Sequence, residues 1–192
     1  EIKKLTISYS GAVTDYDTKA LTSALVYGFL NTISDGSVNF VNALSVAESR
    51  GIVVEENVVH HVQDFANQIT LSVTCEDKTN LIAGTLFGNK NYRFVRFNDF
   101  YLEVIPDGYI LALHNYDRPG VICKVTSILG SHQINVSRMQ LTLDKTFVQG
   151  SSESCLQEAV SFINIDQPVN DAILEELLKL ENIITVHQID LN

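Results

Sequence analysis

Basic residues are scarce in this chain. Thirteen Lys and Arg stand against 23 Asp and Glu, for a formal charge of −10 and an isoelectric point near 4.8. That balance argues against sequence-independent nucleic-acid binding, which needs a cationic face to neutralise phosphates. It equally disfavours docking on an anionic membrane surface. Cysteines are few, and Cys75, Cys123 and Cys155 lie far apart without CxxC spacing. This fits neither a disulfide framework nor a zinc site, and the expectation is three ordinary thiols in a reducing, cytoplasmic compartment. No long apolar run is present. The longest, Leu21 to Leu30, is interrupted by Thr22, Ser23, Tyr27 and Gly28 and is too short to span a bilayer. No signal peptide is recognisable. A chain opening at Glu1 without an initiator Met reads as a processed product or an excised fragment.

The usual marks of catalysis are missing as well. There is no G-x-G-x-x-G, no G-x-x-x-x-G-K-[ST] and no G-x-S-x-G. His60 and His61 are adjacent, with Asp64 nearby, but neighbours on a strand face opposite sides and do not easily share a metal. They read as a solvated strand end. Cys123 follows Ile122 on an apolar helical stretch. Its nearest base in sequence is His114, with no orienting carboxylate in view, so Cys123 reads as a buried structural thiol. Glu55-Glu56 and Glu175-Glu176 read as solvated faces. No acid, base and oxyanion site assemble, so no catalytic residue and no metal ligand is assigned.

What the chain does have is 45% hydrophobic and 19% charged residues, enough for a packed core in one medium or two small domains. Residues 2–9 alternate as a half-buried strand. A helix follows from an Asp17 or Thr18 cap to about Thr32, with Leu21, Ala24, Leu25, Gly28 and Phe29 as its expected stripe. Asp35-Gly36 reads as a turn, 40–50 as a helix stopped by Gly51, and 52–59 as a strand. Strands at 69–75, 81–87, 92–97 and 100–104 follow, the last two flanking an Asn98-Asp99 hairpin loop. Pro106-Asp107-Gly108 breaks the pattern and sets the expected boundary, giving domains 1–107 and 108–192.

Beyond it come a strand at 109–114, a helix at 117–132, strands at 134–143 and 157–166, a helix at 170–180 and a strand at 183–189. This β-α-β-β-α-β order is the ferredoxin-like arrangement, so the overall class is α+β. Such a sheet carries helices on one face and is expected to leave the other to a partner. The strand 109–114 is expected as an edge that pairs with a second copy.

The informative stretch is His114-Asn115-Tyr116-Asp117-Arg118-Pro119-Gly120-Val121. Asp117 reads as an N-cap, and Pro119 suits a first helical turn, whose N–H groups are unused. Gly120 permits close approach of a ligand. Free amides at a helix start favour a carboxylate, and the Asp117 carboxylate favours an ammonium group. The loop therefore has the polarity for an α-amino acid. Spacing alone favours the plainer reading, a capped helix with no ligand, because N-caps are common.

The run from His114 to Leu141, with its D-R-P-G-V-I-x-K-V-x-x-I-L-G and I-N-V-x-x-M-Q-L patterns, closely resembles the first β-α-β of an ACT domain. It is similar to the C-terminal part of the long-form D-3-phosphoglycerate dehydrogenase family. Upstream, Tyr9-Ser10-Gly11, Val38-Asn39-Phe40-Val41-Asn42-Ala43, Arg50-Gly51-Ile52 and Ala83-Gly84-Thr85-Leu86-Phe87-Gly88 resemble that family's intervening domain. The resemblance implies a mixed α/β intervening domain followed by a ferredoxin-like ACT domain. It implies a non-catalytic regulatory piece of an NAD-dependent oxidoreductase of serine biosynthesis, with NAD held by catalytic domains outside this chain and no cofactor here. L-serine would bind at an interface between two ACT domains for feedback inhibition. The residues carried over are Asn115, Asp117, Arg118, Pro119, Gly120 and Val121, with Asn135 reaching across from a second subunit.

The resemblance reverses the preference at the loop, in favour of a ligand site. It also implies an anion site in the intervening domain, at Arg93 with Lys90 and Arg96 nearby. There Tyr101 and Ile105 replace expected cationic positions, and Arg96 is expected to face away from Arg93. Weak or absent phosphate binding is the expectation. The sequence departs from the family at Lys145 to Ser154, where a glycine-rich acidic turn is usual. A related domain pair of L-serine dehydratase is the alternative; its iron–sulfur cluster would be held by cysteines elsewhere, and the three scattered here lend it no support. A stand-alone hydrolase using His60, His61 or Cys123 is disfavoured.

Overall fold

A computed structural model describes residues 1–34, 37–59, 65–88, 90–143 and 157–192. The turn at Asp35-Gly36, the His60, His61 and Asp64 group, Cys155 and the 145–154 loop lie outside them. The chain divides into two compact units, Glu1–Asn98 and Asp99–Asn192. The division falls ahead of Pro106-Asp107-Gly108.

In the first unit, β1 (Ile2–Gly11) alternates strictly, with Leu5, Ile7 and Tyr9 fully buried. A 3-10 turn at Ala12–Asp15 leads to α1 (Lys19–Asn31) and then α2 (Ala43–Ser49). Arg50 ends α2, and Gly51 adopts φ 72°. The Gly51 N–H donates to Glu48 O at 2.9 Å and the Ile52 N–H to Ala47 O at 3.0 Å. That paired closure needs a left-handed residue, which glycine supplies without strain. The strands β2 (Val53–Val59), β3 (Asn67–Cys75), β4 (Thr79–Phe87) and β5 (Asn91–Phe97) follow. Within this unit the strand order is β2-β1-β3-β4-β5, with β2 parallel to β1 and the β1–β3, β3–β4 and β4–β5 pairs antiparallel. Val26, Leu30, Val38, Ala43, Ala47 and Ile52 close the core over Leu5, Ile7 and Tyr9.

The buried face of α1 is not the expected stripe. Thr22, Val26 and Leu30 face the core, while Leu21 and Gly28 are exposed. The helix is apolar on several sides, so periodicity does not select one. A polar contact does: the Tyr9 hydroxyl and Thr22 Oγ1 lie 2.7 Å apart inside the core. Asp17 does take part in the helix start, accepting from the Lys19 N–H at 3.1 Å, although Thr18 holds the cap position.

The second unit begins with β6 (Phe100–Val104) and continues through β7 (Tyr109–Tyr116), α3 (Val121–Ser131), β8 (Val136–Leu143), β9 (Glu158–Ile165), α4 (Asp171–Leu178) and β10 (Ile183–Asp190). Its antiparallel sheet has the order β10-β7-β9-β8. Leu111, Leu113, Ile163 and Ile165 meet Val125 and Leu129 of α3 and Ile173 and Leu177 of α4. Asn170 caps α4 by accepting from the Ile173 N–H at 3.0 Å.

Two expectations fail here. The strand 109–116 is central, paired on both sides, and the edges are β8 and β10. A β-α-β-β-α-β chain threads its first strand between the last and the third, an order that alternation along one strand does not reveal. The sheet face away from the helices is not open either. Ile110, Val160, Phe162 and Asn164 on it are buried. Phe100 meets His114 edge-on with ring centroids 6.3 Å apart. The Asn164 amide donates to Ile105 O at 3.2 Å and to Asp107 O at 3.1 Å.

Burial raises the Tyr9 hydroxyl pKa above 10.0; the Thr22 bond pulls it back down, and Glu56 adds a smaller upward push. The folded state thus favours the protonated phenol. That stability is present below about pH 10 and is lost as pH rises through the folded value. Tyr9→Phe is expected to orphan the Thr22 hydroxyl and cost about 1–3 kcal/mol in urea unfolding at neutral pH. It should also reduce the loss of stability above about pH 10. An unchanged unfolding midpoint would show that the pair contributes nothing.

Candidate functional site

The site is built where β7 leaves the sheet and α3 begins. Alternation along β7 turns Leu111, Leu113 and Asn115 toward the helices, so an amide follows two leucines into the core. Asn115 is 2% exposed. Its Nδ2 donates to Tyr116 O at 2.9 Å, and its Oδ1 has no hydrogen-bond partner among the described residues. A buried carbonyl without a donor costs roughly 1–3 kcal/mol, so it calls for an explanation.

Residues Asp117, Arg118, Pro119 and Gly120 then run along the surface, all exposed. The Asp117 N–H donates to Gln157 O at 2.7 Å, which pins the loop to the start of β9. Asp117 is not the cap of α3. Gly120 is, with φ 90°, and no side chain bonds the helix start. Three residues separate Asp117 from the first helical residue, Val121, because Arg118-Pro119-Gly120 forms a turn closed by the Val121 N–H on Arg118 O at 3.3 Å. The left-handed backbone at Gly120 explains the glycine. The consequence is chemical: the Asp117 carboxylate is not spent on capping, and the first amides of α3 have no side-chain acceptor. A carboxylate, unused helical N–H groups and a buried amide oxygen converge on one end of the sheet.

Asn135 is elsewhere. It is exposed, its N–H donates to Asp166 Oδ1 at 2.9 Å, and it precedes Val136, which pairs with Ile165. Asn115 pairs with Ala159. Six residues of β9 separate those rows, roughly 20 Å at the rise of a strand. Within one chain the structure does not bring Asn135 to Asn115 and Asp117.

The cationic group on β5 differs from expectation. Arg93 pairs with Thr85, Phe94 with Gly84 and Arg96 with Ala83, so the register steps over one extra residue of β5. This bulge restores Arg96 to the face of Arg93, where simple alternation opposes them. Both are engaged: Arg93 donates to Tyr92 O at 2.8 Å and lies 5.9 Å from the Phe87 ring centroid, and the Arg96 Nε–H donates to Asn98 O at 2.7 Å. Lys90 stands at the turn before β5.

Cys123 is exposed, against expectation, because α3 buries Val121, Val125 and Leu129 and turns 123 outward. The carboxylate that sequence reasoning did not find for His114 is Glu158, 2.6 Å from its Nε2. Their separation of 44 residues gives no local signal. His114 lies on the sheet face away from α3, so it forms no dyad with Cys123. Among the described residues no group of His, Cys, Asp and Glu is arranged to hold a metal ion. No helix among them is long and apolar enough to cross a membrane.

Among the described residues, the turn after β1 does not have the glycine-rich form that cradles a dinucleotide. The parallel pair β1–β2 is the place where a glycine-rich strand-to-helix turn belongs. Instead β1 runs into the Ala12–Asp15 3-10 turn, whose backbone carries no glycine fingerprint.

The profile of the D-3-phosphoglycerate dehydrogenase intervening domain matches residues 1–98, and that of the ACT domain matches residues 109–182. The chain is 32% identical over 190 residues to a D-3-phosphoglycerate dehydrogenase of Bacillus subtilis, covering 99% of this chain and 34% of that protein. It is 31% identical to one of Archaeoglobus fulgidus over 99% of this chain and 34% of that protein. It is also 27% identical to a probable L-serine dehydratase beta chain of Bacillus subtilis, over 98% of this chain and 82% of that protein. The chain thus spans about a third of the length of the dehydrogenases it matches. With an intervening domain over its first half and an ACT domain over most of its second, the chain belongs to the D-3-phosphoglycerate dehydrogenase family, of which it carries the regulatory domains.

Proposed function

We propose that the chain is a non-catalytic sensor that binds L-serine at a site shared by two ACT domains and so conveys end-product inhibition to an NAD-dependent D-3-phosphoglycerate dehydrogenase. The observation that carries this reading is the buried Oδ1 of Asn115, without a partner among the described residues, beside the uncapped start of α3. In this reading the first-turn amides of α3 that follow Val121 take the ligand carboxylate, Asp117 takes its ammonium group, and Arg118, Pro119, Gly120 and Val121 shape the loop. Asn135 comes from a second copy.

The sheet order supports a particular pairing. Two copies joined along β8, antiparallel about a two-fold axis, bring the β8 start of one beside the β8 end of the other. That end is the one carrying Asn115, since Leu143 and Asn115 both pair with Ala159. Joining along β10 brings no Asn135 near. Met139 and Leu141 on β8 are 36% and 39% exposed, pair with Ile163 and Ser161, and so extend the helix-side layer to an unfinished edge. A second copy would complete it.

The dehydratase relative favours a second reading, because the chain spans 82% of it. There the same domain pair would act with a separate, cluster-bearing catalytic chain. Co-elution with an L-serine dehydratase alpha chain, but not with dehydrogenase catalytic domains, would select it.

The chain is expected to be at least a dimer at micromolar concentration by light scattering, and a monomer alone would exclude the shared site. Leu141→Lys, which places charge on the β8 edge, should shift it toward monomer and weaken serine binding together. L-serine at a hundredfold excess over its dissociation constant should stabilise the chain by about 2.7 kcal/mol. Asp117→Ala and Asn135→Ala should each abolish this, and equal melting shifts from D-serine and L-serine would contradict a stereospecific site. At Lys90, Arg93 and Arg96, weak phosphate binding is expected, because both guanidinium groups already serve backbone carbonyls. Calorimetry with 3-phosphoglycerate checks this: tight, saturable binding lost in Arg93→Ala would refute it.

A further inference from the structure

A second buried polar atom lies next to Asn115. Ser161 is fully buried, and its Oγ has no hydrogen-bond partner among the described residues. It sits on β9 opposite Leu113 on one side and Leu141 on the other, two rows from the Asn115–Ala159 pair and so on the same face. Leu113 packs against the helices, so Ser161 and Asn115 share the helix-facing side as diagonal neighbours on adjacent strands. Such residues have Cα atoms about 7–8 Å apart, too far for these short side chains to bond directly but near enough for one oxygen to sit between them.

The two vacant valences are complementary. Ser161 has an O–H to donate, and Asn115 Oδ1 accepts only. A group that accepts once and donates once satisfies both, which is the chemistry of a hydroxyl. We propose that Ser161 and Asn115 form a hydroxyl subsite beneath the first turn of α3, and that Ser161 is a specificity residue by which the site distinguishes a β-hydroxy amino acid from its deoxy analogue. The inference rests on the amino-acid reading above. The zwitterion lies outside, at Asp117 and the α3 amides, and its side chain points inward, where the hydroxyl donates to Asn115 Oδ1 and accepts from Ser161 Oγ. A methyl group in the same place leaves both protein atoms orphaned, which is how polar sites reject analogues that lack a hydroxyl. In the absence of ligand a single water meets the same requirement.

The test is calorimetric titration of the 192-residue chain with L-serine and with L-alanine, which differ by that hydroxyl alone, in the wild type and in Ser161→Ala. The wild type should bind L-serine at least about tenfold more tightly than L-alanine, and Ser161→Ala should bring the ratio down by about tenfold through weaker serine binding. Ser161→Cys, which keeps the size but offers a poorer donor, should fall between. A ratio unchanged in Ser161→Ala overturns the subsite while leaving the amino-acid site intact. So does an equal loss of affinity for both ligands, which marks a purely structural role. If the wild type binds neither amino acid, the amino-acid reading fails and takes this inference with it.

Discussion

The arrangement of the second unit depends on β7 being held on both sides. With β10 and β9 as its neighbours, Tyr109–Tyr116 has no freedom to shift register. Slipping by one residue would turn Leu111 and Leu113 out of the core and His114 into it. That fixed register carries the Asn115 amide to the last helix-facing position of β7. The same constraint leaves β8 as the strand with an unfinished apolar flank.

Much of the architecture was legible because alternation is a strong signal wherever one face is buried. Leu5, Ile7 and Tyr9 against Lys4, Thr6 and Ser8 define β1, and Gly51 marks the end of α2. The family resemblance located the loop from Asn115 to Val121 without any view of its geometry. What escaped depended on contacts between distant residues. Thr22 reads as a polar position on α1, yet it is buried because Tyr9, thirteen residues earlier, supplies its partner. Asp117 reads as a cap because caps are short and polar. The turn closed on Arg118 O hands that position to Gly120. The β5 bulge is invisible in sequence, since nothing in Arg93-Phe94-Val95-Arg96 announces an extra residue. Glu158 and Ser161 lay beyond reach for the same reason: only the β7–β9 register brings them to His114 and Asn115.

The two units differ in how their buried polar side chains are met. In the first, the buried polar pair Tyr9–Thr22 is closed on itself, while Ser34 Oγ is buried with no hydrogen-bond partner among the described residues. In the second, the buried polar atoms of Asn115 and Ser161 are left open. A protein under selection for stability alone replaces such orphans by apolar groups of similar size, because an unmet hydrogen bond inside a core is costly. Their presence beside the start of α3, which has no side-chain cap, is the pattern expected when part of the folding free energy is held in reserve for an occupant.

The latch formed by Asn164 has a bearing on how the second unit can be moved between proteins. The profile of the ACT domain starts at residue 109, yet Phe100 lies against His114, and the Asn164 amide is satisfied by the carbonyls of Ile105 and Asp107. A transplant cut at Tyr109 would lose the ring against His114 and leave a buried amide stripped of both its acceptors. A chimaera that grafts the second unit onto a different catalytic body must therefore carry the chain back at least to Ile105 to keep that amide satisfied.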